Sequence, residues 1–306
     1  MQQNLKVSVC MITYGQEKYI REAIEGVLMQ ECNFEVELIL ANDCSPDQTD
    51  NVIEDILANH PKASCIKYFK QDKNIGMMHN FVFALGQCSG NYVALCEGDD
   101  YWTDPLKLQN QVDFLEVSPD YVLCFHQINV LKTNGEIVDD FITKVPENYE
   151  TIETLARLGN YVHTPSVVFR NVISKFPFEF ENSPIGDFFL YMILAEQGKL
   201  KYMEEKMAVY RYGVGIFSGE SELKIAKSNL KLFTCLVSYL KDEKIKKIIF
   251  DRQLKAVSAL ETSINYQYKS YFISNHIFFR AIILLQKNYK NPSKILKMIN
   301  AKFFKF

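Results

Sequence analysis

Over the first hundred residues, short apolar runs alternate with longer segments whose apolar positions recur every three or four residues. Lys6–Thr13 is an apolar run rich in valine and isoleucine, the pattern of a buried strand. Glu17–Gln30 follows, with Ile20, Ala23, Ile24, Val27 and Leu28 on one helical face. Further strands are predicted at Glu37–Ala41, Ile66–Phe69 and Asn91–Cys96, and helices at Thr49–Ala58 and Met77–Gly86. Alternation at this spacing predicts right-handed βαβ units, and so an α/β fold with a mainly parallel sheet flanked by helices. From about Pro105 the pattern changes. Leu106–Val117 reads as a helix with proline near its start, Tyr121–Val130 and Ser166–Arg170 as strands, and Asp187–Gln197 as a helix. After Gly219 there is no further glycine, and helices are predicted at Glu222–Leu240, Lys244–Tyr266, Asn275–Gln286 and beyond Pro292. We place a boundary near residue 218, with 1–218 as one domain and 219–306 as a helical extension.

In parallel sheets, ligands gather beyond the carboxyl ends of the strands. That rule singles out Thr13–Gln16, Asn42–Asp47, Asp72–Gly76 and Glu97–Trp102, which are also the most polar stretches of the first hundred residues. Glu97, Asp99 and Asp100 put three carboxylates within four residues, where like charges repel unless a cation neutralises them. Hard divalent cations such as Mg2+ and Mn2+ take such oxygen ligands together with substrate phosphates. The plain alternative is a solvated acidic turn. Asp43, at a strand end, can pair with an N–H of a bound base, whereas Asp47 reads as a cap for the helix at Thr49.

Val7-Ser-Val-Cys-Met-Ile-Thr-Tyr-Gly-Gln-Glu17, Asn42-Asp-Cys-Ser-Pro-Asp47, Asp72-Lys-Asn-Ile-Gly76 and Glu97-Gly-Asp-Asp100 resemble, in order and spacing, the motifs of family-2 glycosyltransferases. Gly186-Asp187 and Val209-Tyr-Arg-Tyr212 resemble those that close the catalytic domain, so the likeness covers about residues 5–218. The resemblance implies a Rossmann-like GT-A fold, with a nucleotide-sugar half at about 1–104 and an acceptor half at about 105–218. It implies an inverting, metal-dependent hexosyltransferase moving one sugar from a UDP-sugar to a hydroxyl of a glycan or lipid-linked acceptor. Asp43 would meet the uracil, with Thr13 and Tyr14 lining the base and ribose pocket and Glu17, Asn74, Gly76 and Gly98 on the donor side. Glu97 stands where the family has the first Asp of its Asp-x-Asp motif. Asp99 stands at the second and would hold Mn2+ or Mg2+. Asp100 would bind donor-sugar hydroxyls or buttress the turn. Trp102 would form an acceptor wall or pack on the sheet. Asp187 would be the catalytic base, or else a helix cap. His163 lies in a loop where such enzymes meet acceptor or sugar.

Two departures matter. The family's His after Tyr-Arg is missing from Tyr210-Arg-Tyr-Gly-Val-Gly215, which leaves phosphate contacts to Arg211 or Tyr212. Its Arg near Asn-x-Gly is also absent, and His79 stands nearby either as a substitute or as a structural residue. The Gln-x-x-Arg-Trp motif and membrane helices of the processive branch do not appear, which favours single addition over polymer synthesis.

Composition narrows the setting. The eight cysteines form no CxxC pair, no leader is visible, and no apolar run approaches the ~18–20 residues of a membrane span. These features predict a cytoplasmic protein. Residues 241–306 hold 14 Lys and Arg against 4 Asp and Glu, while the rest hold 20 against 33. A basic amphipathic tail on an acidic body suits peripheral contact with the inner face of a membrane, or else packing and homo-oligomer formation. The acidic body disfavours nucleic acid. By resemblance, a bacterial surface-polysaccharide or lipopolysaccharide pathway is expected. A nucleotidyltransferase would need a Gly-rich basic loop after the first strand, which Thr13-Tyr-Gly-Gln-Glu17 is not. An inactive nucleotide-sugar-binding module is opposed by the retained Asp99, Asp100 and Asp187.

Overall fold

The computed structural model describes residues 5–215 and 220–268. In chain order the elements are β1 (Lys6–Thr13), α1 (Ile20–Leu28), β2 (Glu35–Asn42), α2 (Thr49–Asn59), β3 (Ile66–Lys70), α3 (Met77–Gln87), β4 (Tyr92–Leu95) and β5 (Tyr101–Trp102). They continue with α4 (Lys107–Val117), β6 (Tyr121–Leu131), β7 (Ile137–Asp139), α5 (Ile152–Leu158), β8 (Val168–Arg170), α6 (Phe178–Glu181) and α7 (Gly186–Ala195). The last are β9 (Lys199–Arg211), α8 (Glu222–Tyr239) and α9 (Glu243–Tyr268).

The nine strands form one sheet in the order β3-β2-β1-β4-β8-β6-β9-β5, with β7 on β6. The parallel pairs β1–β2, β1–β4, β2–β3 and β6–β9 run for four to nine residues, whereas the antiparallel pairs run for two or three. The sheet is therefore mixed but mostly parallel, as expected. β1, β2 and β4 are buried along nearly their whole length, which is why each appears in sequence as a continuous apolar run. Their side chains join Ile20, Ile24 and Val27 of α1, Ile53 and Ile56 of α2, and Leu108, Val112 and Leu115 of α4 in one core.

β2 lies on one side of β1 and β4 on the other, so the strand order reverses there. The reversal opens a crevice at the carboxyl ends of β1 and β4. The amino ends of the same strands are closed by buried Glu37. It accepts from Ser8 Oγ (2.5 Å), Ser89 N (3.1 Å) and Ser89 Oγ (2.8 Å), and pairs with Lys6 (2.8 Å) and Lys67 (2.7 Å). Burial disfavours the Glu37 charge, but these partners outweigh it and hold the carboxyl well below the usual range.

β9, β5, β7 and α5 were not expected from sequence. β9 carries Glu204, Glu205 and Lys206 exposed at its centre and shifts register against β6 near Gln127, so neither strand alternation nor an unbroken apolar run marks it. α1 begins at Ile20 rather than Glu17, because Glu17 is used to tie two loops together.

The described residues of Met1–Leu155, Asn160–Phe176 and Tyr191–Ser218 form one compact unit, which contains the whole sheet. Those of Ala156–Gly159, Pro177–Leu190 and Gly219–Phe306 form a second. Within the second, α8 is capped by Ser221, whose hydroxyl accepts from Lys224 N (3.3 Å), and Gln253 of α9 donates to Thr234 of α8 (2.6 Å). Arg252 donates to the Ala156 carbonyl (2.9 Å) while its guanidinium lies over Phe188 and Phe233. Among the described residues no helix is long and apolar enough to cross a membrane. The predicted boundary at 218 and the helices at Asn275–Gln286 and after Pro292 lie outside the described residues.

Candidate active site

The crevice is built from loops that leave β1, β2, β3 and β4. The first two are stitched by a ladder of backbone donors. Gly15 N reaches Ser45 Oγ (3.0 Å), Gln16 N reaches Thr49 Oγ1 (2.8 Å) and Glu17 N reaches Asp47 Oδ2 (3.0 Å). Glu17 returns the contact by accepting from Gln48 N (2.9 Å). Asp47 also accepts from Thr49 N (3.1 Å) and Thr49 Oγ1 (2.6 Å), which ties it to the first residue of α2 one position before the N-cap, Gln48. Buried Asn42 orders the next turn by accepting from Ser45 N and Oγ, and Cys44 within that turn adopts a left-handed φ of 58°. Tyr14 stands half exposed at the rim.

Asp43 is buried and joins the second loop to the third. Its two carboxylate oxygens accept from Ile75 N (2.7 Å) and Gly76 N (2.9 Å), and its own N–H reaches the Thr13 carbonyl (3.0 Å). Asn74 Oδ1 accepts from Gly76 N as well (3.1 Å). The φ of 90° at Gly76 lies in the region glycine tolerates, which lets both amides turn toward Asp43. Thr13, Asp43, Asn74 and Gly76 are thus brought together, and Asp43 holds the Asn74–Gly76 turn in place. His79 is exposed on the first turn of α3.

The acidic turn follows β4. Gly98 N bonds the Ile12 carbonyl (3.0 Å), which places the turn directly beside Thr13. Any side chain at Gly98 would collide with Gln16 Oε1 (2.4 Å), Ile20 Cδ1 and Thr13 Oγ1 (both 2.9 Å). Oxygens of Glu97, Asp99 and Asp100 lie within 4.8 Å of one another. Asp99 and Asp100 are buried, and Asp100 Oδ2 has no hydrogen-bond partner. Burial raises the Asp99 carboxyl above its usual range against opposing pulls from its own backbone, Arg211 and Gln16. Burial, and then the Asp99 charge, push Asp100 up much further.

Arg211, at the end of β9, holds this turn from behind. Its N–H donates to Asp100 Oδ1 (2.8 Å), and its guanidinium donates to the Asp99 carbonyl and to Glu22 while lying over the rings of Tyr19 and Tyr101. With 6% of its surface exposed, it braces the turn from within the protein. The fork is directed at a carbonyl and at Glu22, so the Asp99 and Asp100 carboxylates receive no direct guanidinium partner. Hard oxygen donors, mutual repulsion and an orphaned oxygen fit a divalent cation, which Asp99, Asp100 and Glu97 would hold.

Of the two alternatives for Trp102, the packed one holds: it is 2% exposed, donates its indole N–H to the Pro165 carbonyl (2.8 Å) and packs with Lys107 Nζ over its ring (4.1 Å). His163 is nearly buried, with Nε2 on Asp140 Oδ2 (3.0 Å) and its ring against Tyr210. Tyr212 is half exposed and meets Phe141 edge to face. Asp187 occupies the first turn of α7, in the second unit, after a bend that the Ser183 hydroxyl closes on Ile185.

The model of the family named Glycosyl transferase family 2 matches residues 8–176, more than half of the chain. The chain belongs to glycosyl transferase family 2. An uncharacterized protein of Mycobacterium tuberculosis is 38% identical over 205 residues, covering 67% of this chain and 58% of the relative. The chain thus spans less than two thirds of that relative's length. Two solved family-type folds extend the likeness. Staphylococcus aureus TarS 1-349 in complex with UDP-GlcNAc superposes with a TM-score of 0.59 at 16% identity, covering 98% of this chain and 92% of that one. The Pyrobaculum calidifontis mannosyltransferase PcManGT, in complex with GDP-Man and Mn2+, gives 0.63 at 15% identity, covering 100% and 89%. At this identity the likeness is one of fold, and it agrees with the family-2 sheet described above.

Some residues that hold these loops had no role of their own in the sequence reading. Gln16 and Ser45 lay inside stretches that it singled out, and Glu22 was hidden on a helix face. Asp140 and Thr143 lie in a segment with no periodicity.

Proposed function

We propose that this chain transfers a single sugar from a nucleotide-diphosphate sugar, a UDP-sugar, to a hydroxyl of a glycan or lipid-linked acceptor, with inversion at the anomeric carbon and with a divalent cation. One observation carries the reading. Three clustered carboxylates sit where the strand order reverses, against the loop of β1, and Asp100 Oδ2 among them is buried without a hydrogen-bond partner. The occupants of the two solved neighbours, UDP-GlcNAc in one and GDP-Man with Mn2+ in the other, are consistent with it.

On this reading the β1, β2 and β3 loops receive the nucleoside, with Tyr14 at the rim and the Asn74–Gly76 turn fixed by Asp43. The bound Mn2+ or Mg2+ would neutralise charge growing on the leaving diphosphate. Asp99 would be its main ligand. Arg211 keeps the turn rigid so that its carboxylates need not reorganise on loading. Asp187 removes the proton of the acceptor hydroxyl as that oxygen attacks the anomeric carbon, so no covalent enzyme intermediate is required. Residues 1–218 supply this chemistry. The basic residues 241–306 would serve either peripheral contact with an anionic inner leaflet or packing between copies of the chain.

The test is incubation with Mn2+ and a panel of nucleotide sugars, reading nucleotide release with and without added glycan acceptors. Release from a UDP-sugar that Asp187→Asn abolishes while UDP binding persists is expected. Full turnover by Asp187→Asn removes that residue from its role, and no release from any nucleotide sugar refutes the reading.

A further inference from the structure

Three large apolar side chains, two just after β7 and one just after β9, face solvent. Phe141 is 54% exposed, Ile142 42% and Tyr212 46%. Phe141 and Tyr212 meet with ring centroids 5.3 Å apart and planes at 66°. Exposed aromatic neighbours of this kind offer an apolar, ring-faced contact surface.

The pair is held in place with unusual care. The Asp140 carboxylate accepts from Ile142 N (2.8 Å), Thr143 N (3.2 Å), Thr143 Oγ1 (2.7 Å) and His163 Nε2 (3.0 Å). Burial works against its charge, yet the bonds from His163 and Thr143 prevail and keep it well below the usual carboxylate range. This fixes the turn that carries Phe141. Two routes then tie the turn to the acidic cluster. Tyr212 follows Arg211, whose N–H holds Asp100. His163 begins the short turn whose Pro165 carbonyl receives the Trp102 indole, two residues beyond Asp100.

We infer that Phe141 and Tyr212 form the platform on which a pyranose ring of the acceptor lies, and that Asp140, Thr143 and His163 are positioning residues for it. The inference rests on the transferase reading and supplies its acceptor side. Sugar rings present C–H faces that pack on aromatic rings and hydroxyl edges that need polar neighbours. The Lys206–Asp139 ion pair, adjoining Asp140 and β9, supplies a polar rim. The covalent link from Tyr212 to Arg211 places the platform next to the donor-binding turn, where an acceptor hydroxyl must arrive.

The probe is an array of bacterial oligosaccharides and simple hexopyranosides, with phosphatidylglycerol vesicles and UDP plus Mn2+ as separate arms. Wild type is expected to retain pyranosides, and Phe141→Ala and Tyr212→Ala to weaken retention about tenfold, equivalent to ~1.4 kcal/mol. UDP affinity of Phe141→Ala should stay within about twofold. Asp140→Ala should raise the acceptor KM with kcat held, and Asp140→Asn, whose oxygen still accepts from Ile142, should recover most of it. Absence of any retained glycan, equal retention by Phe141→Ala and Tyr212→Ala, or vesicle binding that these variants abolish while glycans stay bound would each overturn the inference. Phe141-dependent glycan retention without turnover of any nucleotide sugar would sink the transferase reading and leave the platform standing.

Discussion

Replacing Arg211 by methionine tests whether the acidic turn is held from behind. The aliphatic stem is retained, so the loss is that of the charged fork. Three contributions can be separated. The Asp99 carbonyl loses its buried donor, at a cost of about 1–3 kcal/mol. Glu22, at 53% side-chain exposure, returns to water, so its pairing contributes less than about 1 kcal/mol. The guanidinium faces of Tyr19 and Tyr101 lose ~0.5–1 kcal/mol each. The sum is about 2–6 kcal/mol. Trp102 is the only tryptophan, lies buried two residues beyond Asp100 and belongs to the unit with the sheet, so its fluorescence in urea reports this unit directly. Glu22→Gln serves as the control and should lose under about 1 kcal/mol. A loss below about 1 kcal/mol in Arg211→Met, or one equal to that of Glu22→Gln, would show that the turn does not depend on this side chain.

Two further outcomes follow from buried charges. Glu37 has its carboxyl held below the unfolded value of about 4.3, so its contribution is present above that pH and is lost as pH falls through the folded value. Glu37→Gln should lose about 2–3 kcal/mol at pH 7, less than a fully buried pair because Lys67 is half exposed, and the deficit should shrink in acid urea titrations. Lys107 is fully buried, donates to Gln111 (2.8 Å), and burial pushes its amine down to about 7. Below that pH both folded and unfolded states carry the proton. Between there and the unfolded value of ~10.4 the unfolded chain binds the extra proton, so wild-type stability climbs with pH. Against Lys107→Met, the balance should move toward wild type by about 2–3 kcal/mol between pH 6 and pH 9; a constant difference would contradict the assignment.

The nucleotide half was legible because strands buried on both faces leave unbroken apolar runs, and β1 was read to the residue. The loops after them were legible because polar clusters at strand ends are rare elsewhere in the chain. β9 was not, since its central Glu204-Glu205-Lys206 faces water and its register slips against β6. Arg211 was offered an outward role as a phosphate contact, and Trp102 was left between an acceptor wall and packing on the sheet. Sequence gives the residue and not the direction of its side chain, and both point into the protein. The Asp140 turn carries no pattern at all; its meaning comes from His163, 23 residues later.

The central claim is that carboxylates at the end of β4 hold a cation that grips a nucleoside diphosphate. Calorimetric titration of UDP into wild type and Asp99→Asn, with Mn2+ and again with EDTA, tests it most directly. UDP should bind wild type with Mn2+ at least about tenfold more tightly than with EDTA, and Asp99→Asn should lose that gain. Equal UDP affinity under all four conditions would contradict the claim.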